Sequence, residues 1–122
     1  MSQKCEVRNY NNNNVDIISH PTSQLIGHRL PSEIDMEPII TAAYDTGMAL
    51  EINASPRRMD LDDIYALQAI EYNVKIAIGS DTHLPEGLSY MWRGMGVARR
   101  GWCSCEDLLN TLHLRDLLEV GA

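Results

Sequence analysis

The sequence predicts an α/β fold with parallel strands. Two observations carry this. Three short apolar runs alternate with segments of helical period. Two of those runs end on residues able to carry chemistry, at His20-Pro21 and at Gly79-Ser80-Asp81-Thr82-His83. Right-handed crossovers bring successive strand exits to one edge of a parallel sheet, which is where such folds keep their active sites.

Each element has its own signal. Residues 1–14 finish in Tyr10-Asn11-Asn12-Asn13-Asn14, show no hydrophobic period and read as a disordered leader or linker. Ordered structure is expected over 15–122, starting with a β-branched strand at Val15-Asp16-Ile17-Ile18-Ser19. Asp35 can cap a helix whose inward face is Met36, Ile39, Ile40 and Ala43, with Pro38 tolerated in the first turn and Gly47 as its stop. Met48 to Asn53 is the second strand. Asp60 then reads as the cap of a helix carrying Leu61, Ile64, Leu67 and Ile70, with Asn73 as a left-handed end. Lys75 to Ser80 is the third strand. A helix from about Leu88 to Ala98 follows, despite Gly94 and Gly96. Ser104 with Asp107 reads as a capping box opening a last helical region, Cys105 to about Leu112 and on toward Glu119. The resulting order is β-α-β-α-β-α-α, and three strands are too few to close a barrel, so the chain reads as half of a fold.

Composition narrows the class. At 122 residues and 44% hydrophobic content the chain can build one ordinary core. No run nears the ~20 apolar residues that span a bilayer, and the polar start is unlike a signal peptide, so a cytoplasmic protein with no membrane partner is expected. Three cysteines argue against a disulfide framework. A net charge of −7 lacks the basic footprint of an autonomous nucleic-acid binder.

Asp81 and His83 stand one residue apart at a strand exit, and an extended chain can turn both side chains to one side. Carboxylate and imidazole together suit Zn²⁺, Mn²⁺ or Fe²⁺. The competing reading has Asp81 capping a turn and His83 merely exposed. His20 matches their strand-end position and is a third candidate ligand, or else a turn residue before Pro21. Glu51 and Asn53 share one face of the second strand; they either orient ligands or substrate, or simply close the loop by hydrogen bonding. Arg57 and Arg58 follow that strand and are candidate phosphate contacts, whereas Arg99 and Arg100 are expected to complement a helix C-terminus. His28 and His113 read as structural or exposed. Cys103-Ser104-Cys105 overlaps a turn or helix start and has no second pair to make a metal site. No Ser or Cys nucleophile motif, phosphate loop or dinucleotide glycine fingerprint is present, which favours metal-activated water over covalent catalysis.

Several segments together resemble one family: His20-Pro21-Thr22, Leu25-Ile26-Gly27, Leu50-Glu51-Ile52-Asn53-Ala54, Arg58-Met59-Asp60-Leu61, Gly79-Ser80-Asp81-Thr82-His83 and Ala98-Arg99-Arg100-Gly101-Trp102. It is the PHP (polymerase and histidinol phosphatase) phosphoesterase domain of bacterial and archaeal family X DNA polymerases. The LEIN and ARRGW segments, the latter followed by Glu106-Asp107-Leu108-Leu109-Asn110-Thr111-Leu112, are more similar to the polymerase branch than to histidinol phosphatases. The resemblance implies the C-terminal half of a distorted TIM-like barrel of about seven βα units. It implies His20, Asp81 and His83 as metal ligands and catalytic residues. Mn²⁺ is the implied cofactor, DNA the substrate through the full-length enzyme, and 3′-5′ exonuclease or 3′-end processing in DNA repair the activity. The family's His-x-His motif and its next Glu and His ligands belong to an N-terminal half that the sequence is expected to lack, so that half, or self-association, is the expected partner. The alternatives are a histidinol-phosphatase-like enzyme acting on a small phosphate ester, and a non-catalytic remnant or interaction module.

Overall fold

The computed structural model describes residues 16–19, 21 and 35–119. The expectations placed on residues 1–14, Val15, His20 and His28 lie outside the described residues.

Three parallel strands, β1 (Ile17–Ile18), β2 (Ala49–Asn53) and β3 (Ile76–Gly79), form one sheet in the order β1-β2-β3. Helix α1 (Met36–Thr46) joins β1 to β2 and α2 (Asp63–Glu71) joins β2 to β3. A 3₁₀ helix, Pro85–Tyr90, then runs into α3 (Met91–Arg100), and a second 3₁₀ turn, Leu109–Thr111, precedes α4 (Leu114–Glu119). The predicted alternation is present. Because strand order follows chain order without reversal, right-handed crossovers keep both connecting helices on one face of the sheet. The core agrees: Met36, Ile39, Ile40 and Ala43 of α1, Ala66 and Ala69 of α2, and Val97 and Ala98 of α3 close over Leu50, Ile52, Ile76 and Ile78. Each fully buried branched side chain there is worth about 1.5–3 kcal/mol of transfer free energy. Ile17, Glu51, Ala77 and Gly79 are on the opposite side, where they line a shallow cleft of about 360 Å³ with Leu109, Asn110 and Leu117.

Local signals explain most boundaries. Asp35 is extended, its carboxylate accepts from Glu37 N–H at 3.2 Å, and Gly47 ends α1 at φ 74°. Asn73, at φ 61°, is the left-handed stop after α2. The predicted start of α2 needs correction. Asp60 is buried in an antiparallel bridge with Asn53, whose N–H donates to the Asp60 carbonyl. Asp62 caps the helix instead, accepting from Tyr65 N–H at 2.8 Å. Starting the helix two residues later rotates its faces: Ala66 and Ala69 go inward, and Ile64 is 63% exposed.

The end of the chain departs further from expectation. Ser104 N–H and Oγ both donate to Asp107 Oδ2, at 2.8 and 2.9 Å, yet they close a turn and no α-helix begins at Cys105. The reason is competition from β3. Its Ile76 N–H donates to the Asp107 carbonyl at 2.8 Å, and Leu108 bridges Ile76 in parallel. Asn110 extends this edge with its side chain: its Oδ1 accepts from Ile78 N–H at 2.8 Å and its Nδ2 donates to the Ile78 carbonyl at 2.9 Å. A primary amide can present a donor and an acceptor side by side, as a strand neighbour would.

Candidate site at the strand exits

Parallel register sets Asn53 opposite Gly79, so the loops leaving β2 and β3 emerge side by side. Ala54 N–H donates to the Gly79 carbonyl at 2.6 Å and ties the two exits together. Asn53 is fully buried there. Its Oδ1 accepts from Ser55 N–H at 3.0 Å, which shapes the β2 exit, and its Nδ2 donates to Asp81 Oδ2 at 3.3 Å, which reaches the β3 exit.

Asp81 has φ 52°, a left-handed backbone that Asp tolerates better than most residues. Arg58 Nε stands 3.7 Å from Asp81 Oδ2, with the guanidinium side chain 19% and the carboxylate side chain 40% exposed. The next loop is fixed by Thr82, whose Oγ1 donates to the Leu84 carbonyl and accepts from Leu84 N–H, the latter at 3.2 Å. Gly87 packs against that hydroxyl so tightly that a Cβ would fall 1.8 Å from Thr82 Oγ1. His83, between these anchors, is exposed. Ser55, Arg57, Arg58, Asp81, His83 and Tyr90 together line an open cleft of about 440 Å³.

Of the residues expected at the site, Asn53, Arg57, Arg58, Asp81 and His83 are therefore gathered at one edge. Glu51 lies one pleat below Asn53 and opens onto the other cleft. Its Oε1 accepts from Ser19 Oγ at 2.8 Å, and its Oε2 lies where a Cβ on Gly79 would come within 2.7 Å. His20 lies outside the described residues. Among the described residues no group of three or more His, Cys, Asp and Glu side chains is placed to hold a metal ion. Arg99 and Arg100 occupy the last turn of α3, as expected, and Arg100 Nε also reaches Asp63 Oδ2 at 3.6 Å. Both described cysteines, Cys103 and Cys105, are free thiols.

Sequence reasoning missed Ser55 and Tyr90, and gave Asp60 the role of a helix cap. Ser55 follows a strand-ending Asn, and Tyr90 precedes the helix that follows the Asp81 loop, so both were findable as neighbours of strand exits. Asp60 was hidden among three nearby acids, Asp60, Asp62 and Asp63, each able to cap a helix.

Fold and cleft define the class: a parallel α/β protein whose carboxylate, imidazole and guanidinium groups meet where strands β2 and β3 end. Within that class the chain is homologous to the DNA polymerase/3′-5′ exonuclease PolX of Bacillus subtilis (strain 168), with 42% identity over 106 residues, 87% of this chain and 19% of that protein. It is also 31% identical over 103 residues to a probable phosphatase of Thermoanaerobacter sp. (strain X514), covering 80% of this chain and 40% of that protein. A probable phosphatase of Thermoanaerobacter pseudethanolicus (strain ATCC 33223 / 39E) matches to the same extent, 31% over 103 residues. The chain spans about a fifth of the first relative's length and two fifths of the others'. No protein-family model matches it.

Proposed function

We propose that residues 15–122 form the C-terminal part of a PHP-type phosphoesterase domain of the family X polymerase kind, acting in the cytoplasm on DNA 3′ ends during repair. The observation that carries this reading is the strand-exit cleft, where Asn53 holds Asp81 beside His83, Arg57 and Arg58. Homology to a polymerase/3′-5′ exonuclease supports the substrate class. A sheet with helices on one face and Glu51, Ala77 and Gly79 on the other supports the half-barrel, since a barrel wall has this asymmetry and a doubly wound sheet does not.

The donor set fits a divalent cation such as Mn²⁺, with Zn²⁺ and Fe²⁺ as alternatives. Asp81 offers carboxylate oxygen and His83 an exposed imidazole. These two, with His20, would hold the ion, and further ligands would come from the complementary part of the domain. When bound, the ion supplies a water of lowered pKa for attack on phosphorus. The chain's own residues do the rest. Asn53 fixes the rotation of the Asp81 carboxylate through its Nδ2. Arg57 and Arg58 receive the phosphate oxygens, and Arg58 exchanges its contact with Asp81 for the substrate as it does so. Thr82 and Gly87 hold the loop that presents His83.

The two probable phosphatases favour a second reading, hydrolysis of a small phosphate monoester. The test is to co-express the chain with the complementary N-terminal part of such a domain and assay Mn²⁺-dependent release from a 3′-ended oligonucleotide and from a small phosphate ester. Turnover of the oligonucleotide is expected. Preference for the ester would move the function to the second reading, and no turnover of either would leave a non-catalytic module.

A further inference from the structure

Helix α3 turns Gly94, Val97 and Ala98 into the core. A period of 3.6 residues then puts Trp92, Arg93, Met95, Gly96, Arg99 and Arg100 on its outward side. Trp92 is 64% and Met95 49% exposed, and Trp102, just beyond the helix, is 80% exposed. From Met91 to Trp102 there are three arginines, two tryptophans and no acidic residue, in a chain of net charge −7. Arg100 is partly committed to Asp63 of α2, which leaves Arg93 and Arg99 as the cations of this surface. The Arg93 guanidinium already lies 4.9 Å from the centre of the Trp92 ring. With Trp92 still 64% exposed beside that contact, indole surface is open to a ligand.

Large exposed indoles are costly in water, and guanidinium groups set among them suit a partner that offers flat π-faces and anionic oxygens together. A single-stranded nucleic acid does this: its bases stack on aromatic rings and its phosphates meet the cations. Trp, Met and Arg are also common at protein interfaces, so association with a second protein chain is one of the outcomes the experiment separates. At ten residues, α3 is about 15 Å long, enough for a few nucleotides. The helix also begins at the cleft, since Tyr90, which lines it, directly precedes Met91 in the chain.

We propose that the outward face of α3, formed by Trp92, Arg93 and Arg99 with Trp102 beyond its end, binds single-stranded nucleic acid and leads it to the strand-exit cleft. Binding stands on these residues alone, and delivery to the cleft rests on the phosphoesterase reading. Both tryptophans of the protein lie on this surface, so intrinsic fluorescence reports directly on it. The full chain should show saturable quenching when titrated with oligothymidylate in EDTA at low salt. Trp92→Ala should weaken binding about fivefold or more, while Trp92→Phe retains most of it. Arg93→Ala and Arg99→Ala should each flatten the dependence of log affinity on log salt by about 0.7. Circular dichroism controls for folding in every variant. Three results would each overturn the proposal: no saturable quenching, heparin binding as tightly as the oligonucleotide with Trp92→Ala neutral, or a self-association that Trp92→Ala abolishes in place of oligonucleotide binding. Binding without turnover in the reconstituted domain would remove the phosphoesterase reading and keep the strip. Turnover of the oligonucleotide with no binding to the strip would do the reverse.

Discussion

Asp81 and His83 carry the proposed chemistry on a loop held by Asn53, Gly87 and its own Thr82, so they can be changed without disturbing the core. Asp81→Asn or His83→Ala in the reconstituted domain is expected to reduce Mn²⁺-dependent turnover by more than about 100-fold with an unchanged circular dichroism spectrum. Wild-type rates in the folded Asp81→Asn variant would take Asp81 out of the mechanism. Asn53→Ala should cost less, about 10–100-fold in metal affinity or activity, because it acts only through the carboxylate it orients. The two described thiols differ for a physical reason too. Burial, and secondarily the Asp107 charge, pushes the Cys103 thiol from 9.0 to about 11, whereas Cys105 is exposed. Iodoacetamide at pH 8 should therefore modify Cys105 before Cys103, as fragment-ion mass spectrometry of the tryptic peptide 101–115, which carries both thiols, would show. Because the folded state holds the Cys103 proton more tightly, its contribution to stability is full below pH 9 and is lost as pH rises toward 11. A Cys103→Ala variant should lose less stability over that range than the wild type.

At the scale of elements, two glycines of one helix make opposite predictions. A Cβ on Gly94 would lie 2.5 Å from Ile78 Cγ2 and 3.0 Å from Ala54 Cβ, so Gly94→Ala must push α3 off the sheet, at about 1–3 kcal/mol. Gly96 points outward and would meet only Arg100 Nη1, at 3.7 Å. Gly96→Ala is expected to stabilise by about 0.5–1 kcal/mol through helix propensity, and urea midpoints would separate the two. The sequence marked both glycines as weak points in a helix; only packing tells them apart. Asn110 is the other element-scale device. Asn110→Ala strips partners from Ile78 N–H and C=O and should cost about 1–3 kcal/mol, while Asn110→Asp should not rescue it, since a carboxylate cannot donate to the Ile78 carbonyl. If Asn110→Asp melted like the wild type, the amide would not be acting as a strand neighbour.

For the whole molecule, a three-stranded sheet that does not close has two edges to protect, and one of them is covered here. The outer edge of β3 is covered by Asp107, Leu108 and Asn110, leaving β1 as the edge strand among the described residues. The face opposite the helices is still only partly covered, and Leu114 and Leu118 of α4 are 69% and 72% exposed. A surface of this kind is rarely left bare. The chain is expected to self-associate, or to melt at a higher temperature when co-expressed with the complementary part of the domain, as light scattering and thermal melts would record. A cooperative monomer indifferent to that part would mean the Asn110 edge and α4 already close the fold.

What the sequence determined by itself was whatever local chemistry dictates. The alternation of strand and helix, the Asp35 cap, the stops at Gly47 and Asn73, and the inward face of α1 all depend on residues within a turn or two of one another. The grouping of Asn53 with Asp81 was legible too, because parallel strands must deliver their exits to one edge. Tertiary structure decided the rest by competition. Asp60 could have capped a helix, but its backbone is taken by Asn53, and the cap passes to Asp62. Ser104 and Asp107 form the contact their spacing predicts, yet β3 claims the Asp107 carbonyl and the helix does not start. Glu51 shares a strand face with Asn53 and still opens onto a different cleft, because one pleat of the sheet separates strand exit from strand interior. In each case the sheet decided between options that local sequence left open, through partners from seven to thirty-odd residues away, and no local pattern in the sequence encodes those partners.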